Sequence, residues 1–437
     1  MKLKNIVSVL FAALFCTSLF SQAKMTAAEV DSLTYAQYLK GDWDNLIKSG
    51  TKALEHGIDF YYLRMRIGYA NYMKQNYRKA IPHYQKAFKE NPQDAYALAY
   101  LLYSYQFSGR KYDALALSNQ IDSLNNPQLY SKFSPGIKSF GFFFTYNNAT
   151  ASNTQQKVGN GIQVSTDGIQ KTTNNYNISS MYLSHSLGRH ITVYHNISYL
   201  QKNEHNFSIL DNQVYESENQ DLNQWDYNLQ FQINPAKGIT ITPIYNYVSI
   251  KIPLSDVGLD DFKDSYSMYG AILSGDIGNF KLGTSYVLGK INKINQKQLG
   301  IHATYYPFGN LNLYYNLNTF FKNQEYENQN ESDFIHQHTL GFKISNYWWA
   351  ELSGIFPRFT NFYNPISGGM WNGLEGAGNV ININNIFFIK NSKLSLILNT
   401  GLYQSVSEFE PIDTPMNRSN KQTYSNFNIT GGLLWNF

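Results

Sequence analysis

Few residues of this 437-residue chain combine the types and spacings that chemistry requires. His336 and His338 stand two apart on an alternating stretch, so both imidazoles project from one face and could hold a metal. Leu340 and Phe342 continue that face, which makes it apolar and favours a place in an interfacial belt or at a loop edge. Asp256, Asp260, Asp261 and Asp264 could gather a hard cation through carboxylate oxygens. The glycine-framed spacing of a calcium loop is missing there, and solvated charge is the default reading. No serine elbow, phosphate-cradling glycine loop or zinc-protease helix occurs. The chemistry-bearing residues therefore predict a non-enzyme with no catalytic residue, no metal and no cofactor. An alternative is an enzyme acting on lipid or glycan, whose Ser, His and orienting group meet only in space.

Composition narrows the partners. The formal charge of +4 is too small for a phosphate-seeking surface, so no nucleic-acid partner is expected. With 43% hydrophobic and 16% aromatic residues, the chain is also no solvated coil.

The amino terminus reads as an export signal. Lys2 and Lys4 are followed by the apolar run Ile6 to Phe20 and by the small residues of Ser21-Gln22-Ala23, which predicts cleavage after Ala23. The run has about 15 residues where a helical span needs roughly 20. Phe15 precedes Cys16 where a lipid-attachment signal wants a small residue. Without the signal the mature chain has no cysteine, which closes off disulfides, thiolate catalysis and cysteine-held metals.

Residues 27 to 125 carry a helical texture with a period of about 34 residues. From Tyr61 to Asp94 the series Ile67-Gly68, Tyr77, Ala80, Tyr84, Ala87 and Pro92 puts small residues where two helices must approach closely and large rings between successive pairs. Leu101, Tyr105, Gly109 and Ala114 repeat it, and Gly41-Asp42-Trp43 with Ala53 form an earlier copy. Pro82 inside the second helix predicts a kink or shortening. This segment resembles the tetratricopeptide repeat family. The resemblance implies a binding scaffold whose concave face would carry Tyr62, Tyr69, Tyr72, Tyr96, Tyr103 and Phe107, rings suited to a peptide or sugar chain.

After Asn126-Pro127 and Ser134-Pro135-Gly136 the period changes to two. Trp225, Tyr227, Leu229, Phe231 and Ile233 alternate with Gln224, Asp226, Asn228, Gln230 and Gln232, giving one oily and one polar face. Fourteen such segments can be counted between 137 and 437, with twelve or sixteen as alternatives. Most have about ten residues or more, long for soluble strands and right for tilted strands crossing a bilayer. Tight turns such as Leu187-Gly188-Arg189 and Ile277-Gly278-Asn279 alternate with longer links at 149–174, 203–222, 251–263, 358–377 and 407–421. Short turns at one end and long loops at the other predict a barrel with its turns in the periplasm. The chain ends on Phe437, with Trp435 and Leu433 on the same face, and such an end resembles the signal that outer-membrane barrels show to the barrel-assembly machinery.

The expected fold is α + β: a signal peptide over 1–23, periplasmic tetratricopeptide-like helices over 24–130 and an antiparallel transmembrane β-barrel over 131–437. By alternation the interior is rich in Asn, Gln, Ser, Thr and Tyr, with scattered charges such as Asp226, Lys281, Lys343 and Glu351, a lining for neutral polar solutes. In domain order the chain resembles exopolysaccharide exporters, which join periplasmic tetratricopeptide repeats to a carboxyl-terminal barrel. The leading expectation is an outer-membrane channel or exporter for a neutral polar cargo such as a glycan, in contact with outer-membrane lipid. Its repeats would recruit a periplasmic protein or polysaccharide. The alternative is a non-conducting anchor that presents the repeats as an assembly scaffold.

Overall fold

The computed structural model describes residues 25–123, 136–149, 166–254, 260–327, 329–373, 375–390, 392–413, 417 and 419–437. The signal segment, Cys16 and Asp256 lie outside them. The chain divides into two compact units, the first ending at Ser104 and the second running from Tyr105 to Phe437.

The first unit is helical, and the helical series runs on into the second unit, which holds the end of its fifth helix and all of its sixth. Helices α1 (Ala27–Leu39), α3 (Tyr61–Met73) and α5 (Ala95–Phe107) alternate along the chain with α2 (Trp43–Glu55), α4 (Tyr77–Glu90) and α6 (Lys111–Ser123), and both series start afresh about every 34 residues. Gly41, Gln75 and Gly109 occupy the same place in successive periods, and all three have left-handed φ, the conformation that ends one helix and releases the chain for the next. Polar caps open the helices. Thr26 and Glu29 form a reciprocal capping box on α1, Asp42 accepts from the Asn45 N–H, and Asn76 accepts from the Lys79 N–H. The core is Val30, Leu46, Ala53, Leu63, Ile67 and Ala70. A Cβ on Gly50 would come within 2.6 Å of Ile67, so the absent side chain sets how closely α2 and α3 pack. Pro82 does not shorten its helix: α4 runs through it over 14 residues and leaves it exposed.

The second unit is a closed barrel of fourteen antiparallel strands. They are β1 (Gly136–Ala149), β2 (Gly168–Ser186), β3 (Ile191–Leu210), β4 (Gln213–Ala236), β5 (Ile239–Ile252), β6 (Phe262–Ile277), β7 (Phe280–Ile291), β8 (Ile294–Tyr305), β9 (Leu313–Tyr326), β10 (Gln329–Ser345), β11 (Trp348–Phe356), β14 (Gly376–Phe388), β15 (Leu394–Pro411) and β16 (Ser419–Asn436). Two short strands, β12 (Phe362–Asn364) and β13 (Gly369–Trp371), pair only with each other. Each barrel strand pairs with its sequence neighbour, and β1 closes on β16 with Phe140 opposite Trp435 and Phe142 opposite Leu433. Full closure leaves no unpaired edge, as hydrocarbon demands of any sheet it surrounds.

Alternation decides which way each residue points. Phe142, Phe144, Tyr269, Leu273, Leu299, Ile301, Leu398 and Leu433 are exposed on the outer face, while Asn147, Gln224, Asn228, Asn246, Asn318 and Asn426 are buried on the inner one. An apolar patch of this extent on a water-soluble surface would drive association, so this face is a membrane-contacting belt.

Two links differ from expectation. Residues 203–222 are not a loop: β3 and β4 continue through them and meet in a two-residue turn at Asp211-Asn212, both with left-handed φ. Residues 358–377 are not an outer loop either, since they enter the barrel. At the short-turn end α6 docks on the barrel: the Gly238 N–H donates to the Asp113 carboxylate at 2.8 Å, and Tyr112 hydrogen-bonds to Tyr194 and Gln232.

Candidate functional site

The lumen is organised by the hairpin that β12 and β13 form. Its apolar residues would be costly to leave in water, and the inner wall supplies two patches to receive them. Tyr363 packs against Ile244, Val248, Met268 and Val287 on β5, β6 and β7. Phe359 and Phe362 pack against Phe320, Ile335, Ile355 and Val380 on β9, β10, β11 and β14. Phe362 also meets Trp371 with ring centroids 6.0 Å apart. Polar contacts set the depth: Asn228 donates to the Tyr363 hydroxyl at 2.5 Å, Asn364 donates to Gln337 at 2.9 Å, and Gln230 donates to the Pro365 carbonyl at 3.3 Å. The tip turns at Gly368, where φ is +73° and a Cβ would lie 2.8 Å from Asn228.

Charged groups hold both stems. On the first, Arg358 donates two hydrogen bonds to the Glu408 carboxylate of β15, and Lys322 of β9 donates to the Thr360 carbonyl while lying 2.6 Å from Asp333. On the second, Glu375 accepts from the hydroxyls of Thr173 at 2.5 Å and Tyr424 at 2.6 Å. Beside it Glu204 lies 3.1 Å from Lys171 and 2.6 Å from Lys202. Two ammonium and two carboxylate groups thus meet in one buried cluster and balance. The expectation of merely scattered lumenal charge is corrected here. Lys171 and Glu204 fall where the sequence reads as loop, Lys202 closes a segment read as a strand, and Glu375 falls in the link taken as external.

The hairpin leaves two spaces whose walls mix polar and apolar side chains. One of about 380 Å³ is bounded by Tyr176, Asn196, Asp226, Tyr403 and Asn428 of the wall and by Trp371 of the hairpin. The other, about 220 Å³, lies nearer the short turns between Gln230, Gln232, Thr242, His302 and Asn318, with Ile366 of the hairpin tip at its edge. Of the charges foreseen for the lumen, Asp226 accepts from Asn246 at 2.6 Å, Glu351 accepts from Tyr314, and Lys281 lines the smaller space. Lys343 lies on β10 near the short-turn end, opposite Trp349.

The remaining candidates separate. Among the expected repeat-face rings, Tyr62 and Tyr96 are exposed (64% and 74%), and Phe107, within the second unit, is exposed as well. Tyr103 is half-buried. Tyr69 and Tyr72 enter a ring cluster: Tyr69 meets Tyr38, Trp43 and Tyr100 edge-on at 5.3–5.6 Å, and Tyr72 meets Tyr77 and Tyr100 at 5.3 and 4.9 Å. His336 and His338 lie on the outer face, bonded to Thr319 and Tyr315. No group of three metal-binding side chains exists among the described residues. Asp261 pairs with Lys251 at 2.8 Å. Leu433, Trp435 and Phe437 are all exposed on the belt face, and the Phe437 N–H donates to the Lys138 carbonyl.

A closed fourteen-strand barrel with an apolar belt, preceded by a helical region, defines an outer-membrane-type β-barrel protein, here with a hairpin seated in its lumen. No protein family matches the chain, and no curated protein does. Solved structures do resemble it. A FadL homologue from Pseudomonas aeruginosa is 6% identical, with 72% of this chain and 93% of that one covered, at a TM-score of 0.40. The toluene transporter TodX from Pseudomonas putida is 11% identical over 72% and 93%, at 0.31. An anion-selective porin from Comamonas acidovorans is 8% identical over 70% and 100%, at 0.32.

Proposed function

We propose that this protein is an outer-membrane channel for neutral polar solutes, glycans among them, and that the seated hairpin sets its constriction. The observation that carries the reading is the 380 Å³ space, lined in large part by amides, phenols and hydroxyls, where Lys171 and Lys202 offset Glu204 and Glu375 and Asp226 is held by a hydrogen bond from Asn246. Such a lining exchanges hydrogen bonds with sugar hydroxyls without favouring ions of either sign. In this reading the turns face the periplasm, the helical repeats lie there, and exposed rings such as Tyr62 and Tyr96 recruit a protein or polysaccharide partner. The belt-facing end at Leu433, Trp435 and Phe437 serves recognition by the barrel-assembly machinery.

A second reading, a non-conducting anchor, is favoured by one feature: three fully buried rings fasten the hairpin across the lumen. Planar-bilayer recording separates the two. The channel reading expects brief or rare currents from the full chain, steady current when residues 358–376 are replaced by a short Gly-Ser link, and block of that current by a neutral oligosaccharide. A shortened variant that folds and inserts yet passes no current would leave the anchor.

A further inference from the structure

The outer surface of the barrel carries a recess that the channel reading does not use. Strands β6 and β7 pair from Ile277 opposite Phe280 as far as Met268 opposite Gly289, and beyond Met268 the residues of β6 pair only with β5. A Cβ on Gly289 would stand 2.2 Å from the Ser267 carbonyl, so a glycine is needed where the two strands part. Past that point the β7–β8 hairpin leans into the lumen. Ile291 and Ile294, flanking its Asn292-Lys293 turn, are 0% and 2% exposed, and Ile291 joins the cluster around Tyr363. Asn292 donates to the Asn372 carbonyl at 2.7 Å.

Behind the leaning hairpin a space of about 590 Å³ is left on the outside of the wall. Lys290, Lys293 and Lys297 line it and are exposed. Asp264 and Glu325 are its acids, and Asp264 accepts from the Ser265 N–H at 2.8 Å. Among the described residues none of the three lysines forms an ion pair, and they outnumber the acids by one. Their level on the barrel matters as much as their charge. On β7 the outward residues Phe280, Leu282, Thr284, Tyr286 and Leu288 are followed by Lys290, and on β8 Ile301 and Leu299 are followed by Lys297. The ammonium groups therefore start where the apolar belt ends, at the depth of lipid headgroups, with Tyr269 and Leu288 at the edge of the recess.

We infer that this recess binds a phosphate group carried by a membrane lipid, its acyl chains lying along Leu288, Leu299 and Ile301. Three flexible ammonium groups suit a phosphate as converging point charges. A site open sideways at the belt edge favours a phosphate delivered by the bilayer over one arriving from solution.

The test uses the full chain in detergent micelles, titrated with diphosphorylated lipid A and read by native mass spectrometry. Replacing Lys290, Lys293 and Lys297 together by Gln should weaken retention about tenfold or more, and replacing all three by Arg should restore it. Retention by the native chain should also fall with added salt. Heat-modifiable gel migration verifies that each variant is folded. Equal retention by the native and Gln-substituted proteins would overturn the inference. Displacement of the lipid by millimolar inorganic phosphate would overturn the assignment to a lipid-borne group.

Discussion

Tyr363→Ala tests whether the hairpin is a seated plug rather than a fixed wall. Phe359, Phe362 and Tyr363 are each no more than 1% exposed, and transfer of such rings from water contributes about 2 kcal/mol apiece, so seating is favoured by about 6 kcal/mol before the stem contacts are counted. A hairpin held by that much is displaced in about one molecule in ten thousand or fewer. Removing the Tyr363 ring empties the pocket formed by Ile244, Val248, Met268 and Val287 and deletes the bond from Asn228, a loss of about 3–4 kcal/mol. The displaced population should then rise by roughly a few hundredfold.

Single-channel recording reads this directly, because each displacement admits current through the vacated lumen. The native chain should show rare openings, Tyr363→Ala frequent ones of the same amplitude, and the 358–376 deletion a steady level near that amplitude. Should the deletion conduct while Tyr363→Ala stays as quiet as the native chain, ring burial is not what holds the hairpin, and the reasoning fails.

Two further outcomes follow from charge. His83 on α4 is half-buried, and burial, aided by the Arg64 guanidinium 3.3 Å away, pulls its pKa down from 6.5 to about 4. Because the folded value lies below the unfolded one, stability is intact above pH 6.5 and is lost as pH falls toward 4, by about 2 kcal/mol between pH 7 and pH 5. Hydrogen exchange in α3 and α4 of the full chain should quicken accordingly beyond the intrinsic rate change, and His83→Gln should abolish that excess. In the lumen, Glu204→Gln leaves Lys171 and Lys202 without their shared carboxylate. Combined with the hairpin deletion it should move the reversal potential in a salt gradient toward anion selectivity, whereas an unchanged potential would mean the cluster does not face the conducting path.

Much of the barrel was legible because hydrocarbon imposes a strict rule on whatever it touches. Wherever a strand crosses the belt its outward residues must be apolar, and Trp225 through Ile233 announce this one residue in two. Above the belt the rule lapses, although pairing continues. In β3 and β4 the stretch around Asn203, Glu204 and His205 stays hydrogen-bonded across to Ser217 and Gln220, yet neither face needs to be oily, so alternation vanishes and the sequence imitates a loop. The usable signal there was Asp211-Asn212, a pair suited to a tight hairpin turn. The helical region was legible for another reason: its period is built from close contacts, such as Gly50 on Ile67, that only small residues satisfy.

The lumenal hairpin was hidden by its position between two wall strands, where a polar outer link was the simplest assumption. Its own residues argue against that. An external loop holding Phe359, Phe362, Tyr363 and Trp371 within thirteen positions would expose more apolar surface than water tolerates, unless something covered it. In a barrel whose outer face is already committed to lipid, the available cover is the lumen. The wall bears the matching mark: Ile244, Val248, Met268 and Val287 are apolar residues on positions facing inward, where an open water-filled pore would carry polar ones. Aromatic density in a link, matched by oily residues on the wrong face of neighbouring strands, is thus a sequence-readable sign of an inserted segment, and here the two halves of that sign meet at Tyr363.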